Sequence, residues 1–260
     1  MSPMQLARRV EALPRRRCRL DRLRIALADG ARTTVHVVNF ETDAFMPRVV
    51  AFEQAQPLAR WCRRNGVRHA VVGGFFARPQ YQPLGDLRIG GEPRPSVAFD
   101  QPWGSLRACV QVTAGRLRIA RRDELSADPD GDLLQAGPLL VSGGRSAIGT
   151  DDEEGFSAGS HQFDSDITLG RYPRAALAIA GPRLLAVACD GRTERDAGMT
   201  LAELADMLVK LGASDALNLD GGGSASLVHS GRLRNRPREV HGADILGGRA
   251  VVTAIVFEAL

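Results

Sequence analysis

Two carboxylates in this 260-residue chain each sit where an apolar run stops at glycine. Asp220 follows Ala216, Leu217 and Leu219, and is followed by Gly221, Gly222, Gly223 and Ser224 before the chain turns apolar again. Asp190 ends the run Leu184–Cys189 and is followed by Gly191 and Arg192. A third apolar run, Ala70–Val72, stops at Gly73 and Gly74. Glycine reaches backbone angles that other residues adopt only at a cost, and it lets the main chain approach a ligand closely. Successive N–H groups in such a turn can form a nest for an anion. A carboxylate beside the nest can serve as acid or base, or as a metal ligand. A two-residue hairpin turn needs one or two glycines, so three in a row predict more than a turn. Three similar strand ends predict one shared pocket rim. Each alone has a plainer reading, because Asp-Gly is also a common turn dipeptide.

Other chemistry-bearing residues carry weaker patterns. His36 lies in a strand-like run and His161 in a long polar stretch, and each stands alone. A lone histidine is more often a satisfied structural residue. The run Asp128-Pro129-Asp130-Gly131-Asp132 resembles a calcium loop but has Leu139 where the bidentate glutamate belongs, so a solvated turn is expected. Asp151-Asp152-Glu153-Glu154 reads as a solvated acidic turn. Cys18, Cys62, Cys109 and Cys189 are far apart and form no CxxC pair, which predicts free thiols and no zinc site. No metal and no cofactor is implied by any of these spacings.

The elements that must position the two aspartates read clearly in places. Residues 23–40 alternate apolar and polar on both sides of Asp29-Gly30, the pattern of a hairpin. Residues 50–65 read as a helix interrupted or started near Pro57 and ended by Asn65-Gly66. Strand-like runs follow at 69–72, on both sides of Ala114-Gly115, and on both sides of Gly137-Pro138. Residues 142–170 form a long Gly-, Ser- and Asp-rich loop, a length that is either functional or disordered. The helix 200–212 is the best defined. Thr200 and Glu203 make a capping box, and Gly212 is placed to end the helix. Leu201, Leu204, Ala205, Leu208 and Leu211 share one face. Strands at 184–190, 215–220 and 249–260 complete a mixed α+β domain with a sheet-rich core and a few packed helices.

Composition bounds the rest. One domain of residues 25–260 is expected, preceded by a basic arm of residues 1–24 that holds eight arginines against Glu11 and Asp21. No aromatic residue interleaves those arginines, so a solvated leader is expected and no nucleic-acid partner. No signal peptide or membrane span is read, and the thiols fit a cytoplasmic protein. Oligomeric state is not legible.

The order of motifs resembles the phosphodiester glycosidase family, that of the uncovering enzyme, from about residue 35 to the C-terminus. The resemblance is carried by "GGFF", "QAGPLLV", "RYPRAALAI", "LLAVACDGR", the helix with "NLDGGGSASLV", "GRLRNRP" and "GGRAVV". It implies a carbohydrate-metabolism hydrolase, exopolysaccharide proteins among its bacterial relatives, that releases a sugar from a phosphodiester-linked glycan or small molecule. It implies Asp220 and Asp190 as catalytic carboxylates. It implies substrate contacts from Arg174, Arg192, Gly73, Gly74, Gly221, Gly222, Gly223, Ser224, Asn235 and Arg249. Three positions depart from the family pattern: Val72 where Asn is common, Ala175 for Thr, and Ala225. The alternative is a degenerate member that binds a sugar phosphate or polysaccharide without cleaving it.

Overall fold

A computed structural model describes residues 17–149, 170–239 and 241–260. Of the described residues, strands hold 48% and helices 12%, so the expected α+β composition resolves into a fold that is mostly β. Among the described residues no helix is long and apolar enough to cross a membrane.

A seven-stranded sheet runs in the order Cys18–Ala26, Arg32–Glu41, Arg183–Cys189, Arg174–Ala180, Asp215–Leu219, Leu139–Ser142, Arg145–Ser146. Every pairing in it is antiparallel. Its two faces are buried against different partners. Ala175 and Leu177 join the larger core, while Ala176, Ala178 and Ala180 join the core beneath helix Leu201–Lys210. Side chains alternate between faces with period two. Covering both faces removes the polar half of the alternation, which is why this strand reads in sequence as an unbroken apolar run.

The larger core is shared with two further antiparallel sheets. One orders Arg232–Leu233, Leu227–His229, Ala70–Val72, Ala250–Ala259 and Phe45–Pro57; the other orders Arg116–Arg121, Ala108–Thr113, Asp132–Gln135, Leu87–Ile89 and Glu92–Pro93. Helix Leu58–Arg64 buries Leu58, Ala59 and Cys62 in the same core. Helix Leu201–Lys210 forms as its caps dictate: Thr200 accepts the Glu203 N–H at 3.1 Å, and the Glu203 carboxylate accepts the Thr200 N–H at 2.9 Å. Glu203 also binds Arg171, with Nη2 at 2.5 Å from Oε1.

The hairpin at 23–40, the strands flanking Ala114-Gly115 and the split at Gly137-Pro138 lie where the sequence places them. Of the helix read over 50–65, the start near Pro57 is the one realised: it begins at Leu58, and residues 50–57 lie in strand Phe45–Pro57, which pairs with Ala250–Ala259 on both sides of a register shift between Val251 and Thr253. One segment differs. Residues 18–24, expected in the arm, belong to the first strand, paired with residues 34–40. Asp132 is also more than a turn residue. It is buried, and its carboxylate accepts the Val49 N–H at 3.0 Å and the Gly90 N–H at 2.8 Å, pinning two sheets together. All four cysteines are free thiols. His161, the run 151–154 and the first sixteen residues of the arm lie outside the described residues.

Candidate active site

The expected strand ends lie side by side at one edge of the seven-stranded sheet. Strands 183–189 and 215–219 flank strand 174–180 and run against it. Cys189 pairs with Arg174 and Leu219 with Ala175, so Asp190 and Asp220 leave their strands on either side of Pro173 and Arg174. Two ordinary strand spacings separate their backbones, about 10 Å. The Gly222 N–H donates to the Pro173 carbonyl at 2.8 Å, which ties the glycine turn to this edge. Gly73 closes the group from the facing sheet: its carbonyl accepts the Asp220 N–H at 3.0 Å.

The two aspartates differ in environment. Asp190 is 3% exposed. One carboxylate oxygen accepts the Arg236 N–H at 2.6 Å and the other lies 3.4 Å from His36 Nε2. Asp190 therefore braces the edge from inside, and His36, expected to be structural, is its buried partner. Asp220 is half-buried, and Oδ1 accepts the Gly221 N–H at 2.8 Å. Burial pushes its carboxyl up to about 6, against the opposing pull of Ser224, the Gly221 N–H, Arg249 and Arg78. The Ser224 hydroxyl is close enough to exert that pull, yet it meets no partner at good hydrogen-bond geometry.

Two of the three N–H groups of the expected anion nest are committed within the protein. The Gly221 N–H is taken by Asp220 and the Gly222 N–H by Pro173. What the glycines provide is room. Gly222 has φ +58, and a Cβ there would lie 3.3 Å from Arg192 Nη2. A Cβ on Gly223 would lie 2.7 Å from Ile245 Cδ1 and 3.1 Å from Arg249 Nη2. Two guanidinium groups thus rest directly on the turn that follows Asp220.

Each arginine is held in place. Arg192 adopts φ +64, a left-handed conformation that non-glycine residues reach at a cost, and Nη1 donates to the Arg238 carbonyl at 2.7 Å. Its guanidinium lies 5.5 Å from the Tyr172 ring centroid. Desolvation lowers its pKa, with Glu239 opposing and Arg249 adding to the fall. Arg249 donates from Nη2 to Glu239 Oε2 at 2.6 Å, and its backbone N–H donates to the Gly223 carbonyl at 3.0 Å. The hydrogen bond from Arg249 holds Glu239 below the usual carboxylate range, and the charges of Arg249, Arg192 and Arg78 reinforce it. The site therefore holds one carboxyl raised toward neutrality and one kept ionised, with arginines between them.

Other expected contacts lie behind this surface. Arg174 is 2% exposed and donates to the Met199 carbonyl at 3.0 Å and the Gly170 carbonyl at 2.9 Å. Asn235 is buried, accepting the Leu227 N–H at 2.9 Å and donating to the Ala225 carbonyl at 2.7 Å, which fastens the far limb of the glycine turn. Gly73 and Gly74 are packed against Thr253 and Gln135, and Ser224 is buried. Val72 points into the larger core. Glu239, Tyr172 and Arg78 are groups of this site that the sequence patterns do not reveal. Glu239 follows Arg236 and Arg238 in a polar loop, with no periodicity or glycine signature to mark it. A separate hollow of about 340 Å³ beside Leu117, Ile119, Leu139 and Asp215 contains none of these groups.

The profile of the phosphodiester glycosidase family matches residues 65–258, which spans both aspartates, the glycine turn, Arg192, Glu239 and Arg249. The chain belongs to the phosphodiester glycosidase family. Bovine N-acetylglucosamine-1-phosphodiester alpha-N-acetylglucosaminidase is 42% identical over 186 residues, 68% of this chain but 34% of the bovine protein. The chain thus spans about a third of that relative. The catalytic domain of the zebrafish enzyme of the same name, auto-inhibited by its pro-peptide, superimposes with a TM-score of 0.70 at 19% identity, covering 92% of this chain and 82% of that one. A hypothetical protein from Synechocystis gives a TM-score of 0.63 at 21% identity, covering 94% of this chain and 62% of that one. These two likenesses establish the fold alone.

In this family member the bracing role of Asp190 has a measurable consequence. Asp190→Ala leaves the Arg236 N–H and His36 unpaired in the interior and costs about 1–3 kcal/mol. Thermal unfolding of the purified variant should show that loss. An unchanged melting temperature would remove Asp190 from the frame.

Proposed function

We propose that this member of the phosphodiester glycosidase family hydrolyses the anomeric C–O bond of a sugar 1-phosphodiester. The observation that carries the reading is a single juxtaposition: Asp220, with its carboxyl raised to about 6, next to a glycine turn on which Arg192 and Arg249 lie. Cleavage at the anomeric carbon passes through an oxocarbenium-like state that a neighbouring carboxylate stabilises. The leaving group is a phosphate monoester, which departs with little proton assistance. Cationic donors on its oxygens matter more than an acid. Arg192 and Arg249 supply those charges, and Glu239 fixes the position of Arg249.

The proton work then falls on the incoming water. Its oxygen bonds to the anomeric carbon, its proton passes to Asp220, and the electron pair of the broken C–O bond leaves with the phosphate. A base with a pKa near the working pH is the most effective one. Asp220 is a stronger base than an ordinary aspartate, and at pH 7 it is mostly ionised.

The test is a panel of sugar 1-phosphodiesters, with release of free sugar followed across pH. Only the ionised form of Asp220 accepts a proton, so kcat/KM should rise with pH along a limb centred near 6. Absence of sugar release from every member of the panel would sink the reading. A limb that falls through pH 6 would instead make Asp220 the acid.

A further inference from the structure

Three side chains of metal-ligating type meet between the sheets, and none belongs to the site described above. The register that pairs Val228 with Ala70 continues to set His229 opposite His69 on the neighbouring strand. Their ring centroids are 4.9 Å apart. The same row includes Phe257, since Val256 pairs with Ala70 on the other side. Across the interface, Cys18 pairs with Phe40 in the seven-stranded sheet, and Phe40 stacks on Phe257 with centroids 4.0 Å apart. That stack closes the inner side and brings Cys18 Sγ to 3.9 Å from His69 Nδ1. The donor atoms of Cys18, His69 and His229 all lie within 4.8 Å of one another, and all three residues are half-buried.

We propose that Cys18, His69 and His229 form a binding site for a thiophilic closed-shell cation, Zn²⁺ or Cu⁺, that clamps the two sheets together. A metal about 2.3 Å from sulfur and about 2.0 Å from nitrogen separates those two atoms by about 3.5 Å at the tetrahedral angle, and two nitrogens by about 3.3 Å. The observed 3.9 Å between Cys18 and His69 needs a closure of a few tenths of an ångström, and the other donor pairs, within 4.8 Å, close by side-chain rotation of up to about 1.5 Å. Thiolate and imidazole are the donors that these two ions share. Three protein donors satisfy trigonal Cu⁺, and they leave Zn²⁺ one position for water.

The surroundings bear on charge. Arg234 donates to the His229 carbonyl from Nε at 3.0 Å and Nη2 at 2.8 Å, with Nη2 also 3.4 Å from His229 Nδ1. Burial, reinforced by the charges of Arg234 and Arg68, lowers the pKa of His229, and burial holds His69 down to about 4 and pushes the Cys18 thiol up to about 11. Both imidazoles are thus neutral lone-pair donors at pH 7. On binding, the Cys18 thiol releases its proton to solvent and the resulting thiolate cancels one unit of the ion's charge. None of the three residues is among the contacts of Asp220, Arg192, Arg249 or Glu239.

Cobalt(II) is the probe for the zinc arm, using the tag-free full-length chain reduced and then stripped of reductant. A thiolate-to-cobalt charge-transfer band should grow to one Co²⁺ per chain and vanish on adding Zn²⁺. Cys62, Cys109 and Cys189 are buried, so the band reports on Cys18. Cys18→Ser should abolish it, and His229→Gln should weaken affinity at least about tenfold. His69 is packed edge-on against Phe40 and Phe45, so variants there are avoided. The copper arm measures transfer of one Cu⁺ per chain from a chromophoric chelator, lost in the same two variants. Circular dichroism establishes that each variant is folded. The proposal is overturned if the folded wild-type chain gives neither the band nor copper transfer, or if folded Cys18→Ser retains them.

Discussion

Asp220→Asn should lower hydrolysis of a responsive sugar 1-phosphodiester by about a hundredfold or more, with the fold intact. Asparagine keeps the size of the side chain and an oxygen that can accept the Gly221 N–H, but it cannot take a proton from water. The rising pH limb near 6 should disappear with it. Stability moves in the opposite direction to activity. The folded-state pKa of about 6 lies above the value near 4 of an unfolded aspartate, so ionisation of Asp220 removes stability as pH rises from the lower value through the higher. Asparagine never ionises. Above pH 6 the variant should therefore melt no lower than the wild type, and its advantage should vanish in acid. Turnover and melting temperature at pH 5 and pH 8 test both halves. Near-full activity in the variant would make Asp220 structural.

Gly73→Ala should give a large loss of stability for a single added methyl group. A Cβ at Gly73 would lie 2.4 Å from Thr253 Oγ1 and 2.8 Å from the Thr253 carbonyl carbon. The second contact is with backbone, so no rotamer change relieves it. Overpacking of this kind costs about 1–3 kcal/mol and sometimes more, or roughly 2–12 °C in melting temperature for a domain this large. Activity should fall as well in the fraction that stays folded, because the Gly73 carbonyl anchors the Asp220 N–H. Gly30→Ala is the control. Gly30 has φ +86 but nothing within 4 Å of its Cβ position, so only backbone strain of about 1 kcal/mol is expected and activity should not change. Equal melting temperatures for the two variants would show that the strand 70–72 yields freely.

The sequence makes the edge itself legible, because strands that stop at glycine and aspartate leave a local signature. It also reveals the helix at 201–210, whose caps are set by residues three apart. Other features depend on partners far away in sequence. Residues 50–57 follow the pairing available from Ala250–Ala259, which no local window contains. Asp190 and Asp220 look alike in sequence, yet one meets His36 and the Arg236 N–H while the other is left half-buried beside arginines. Glu239 gains its role only from Arg249, which the chain brings to it across a turn. Cys18, His69 and His229 are far apart in sequence, and only the registers of two facing sheets bring them together.

The strand Ala250–Ala259 occupies an interior position in its sheet, between Ala70–Val72 and Phe45–Pro57. Both neighbours precede it in the chain by nearly 200 residues, so the rate of closing this sheet is limited by bringing together segments that are remote in sequence. Thr253, which abuts Gly73, comes with that strand. The surroundings that tune Asp220 therefore depend on one of the longest-range closures in the fold, and a chain that has not made it carries the aspartate without them.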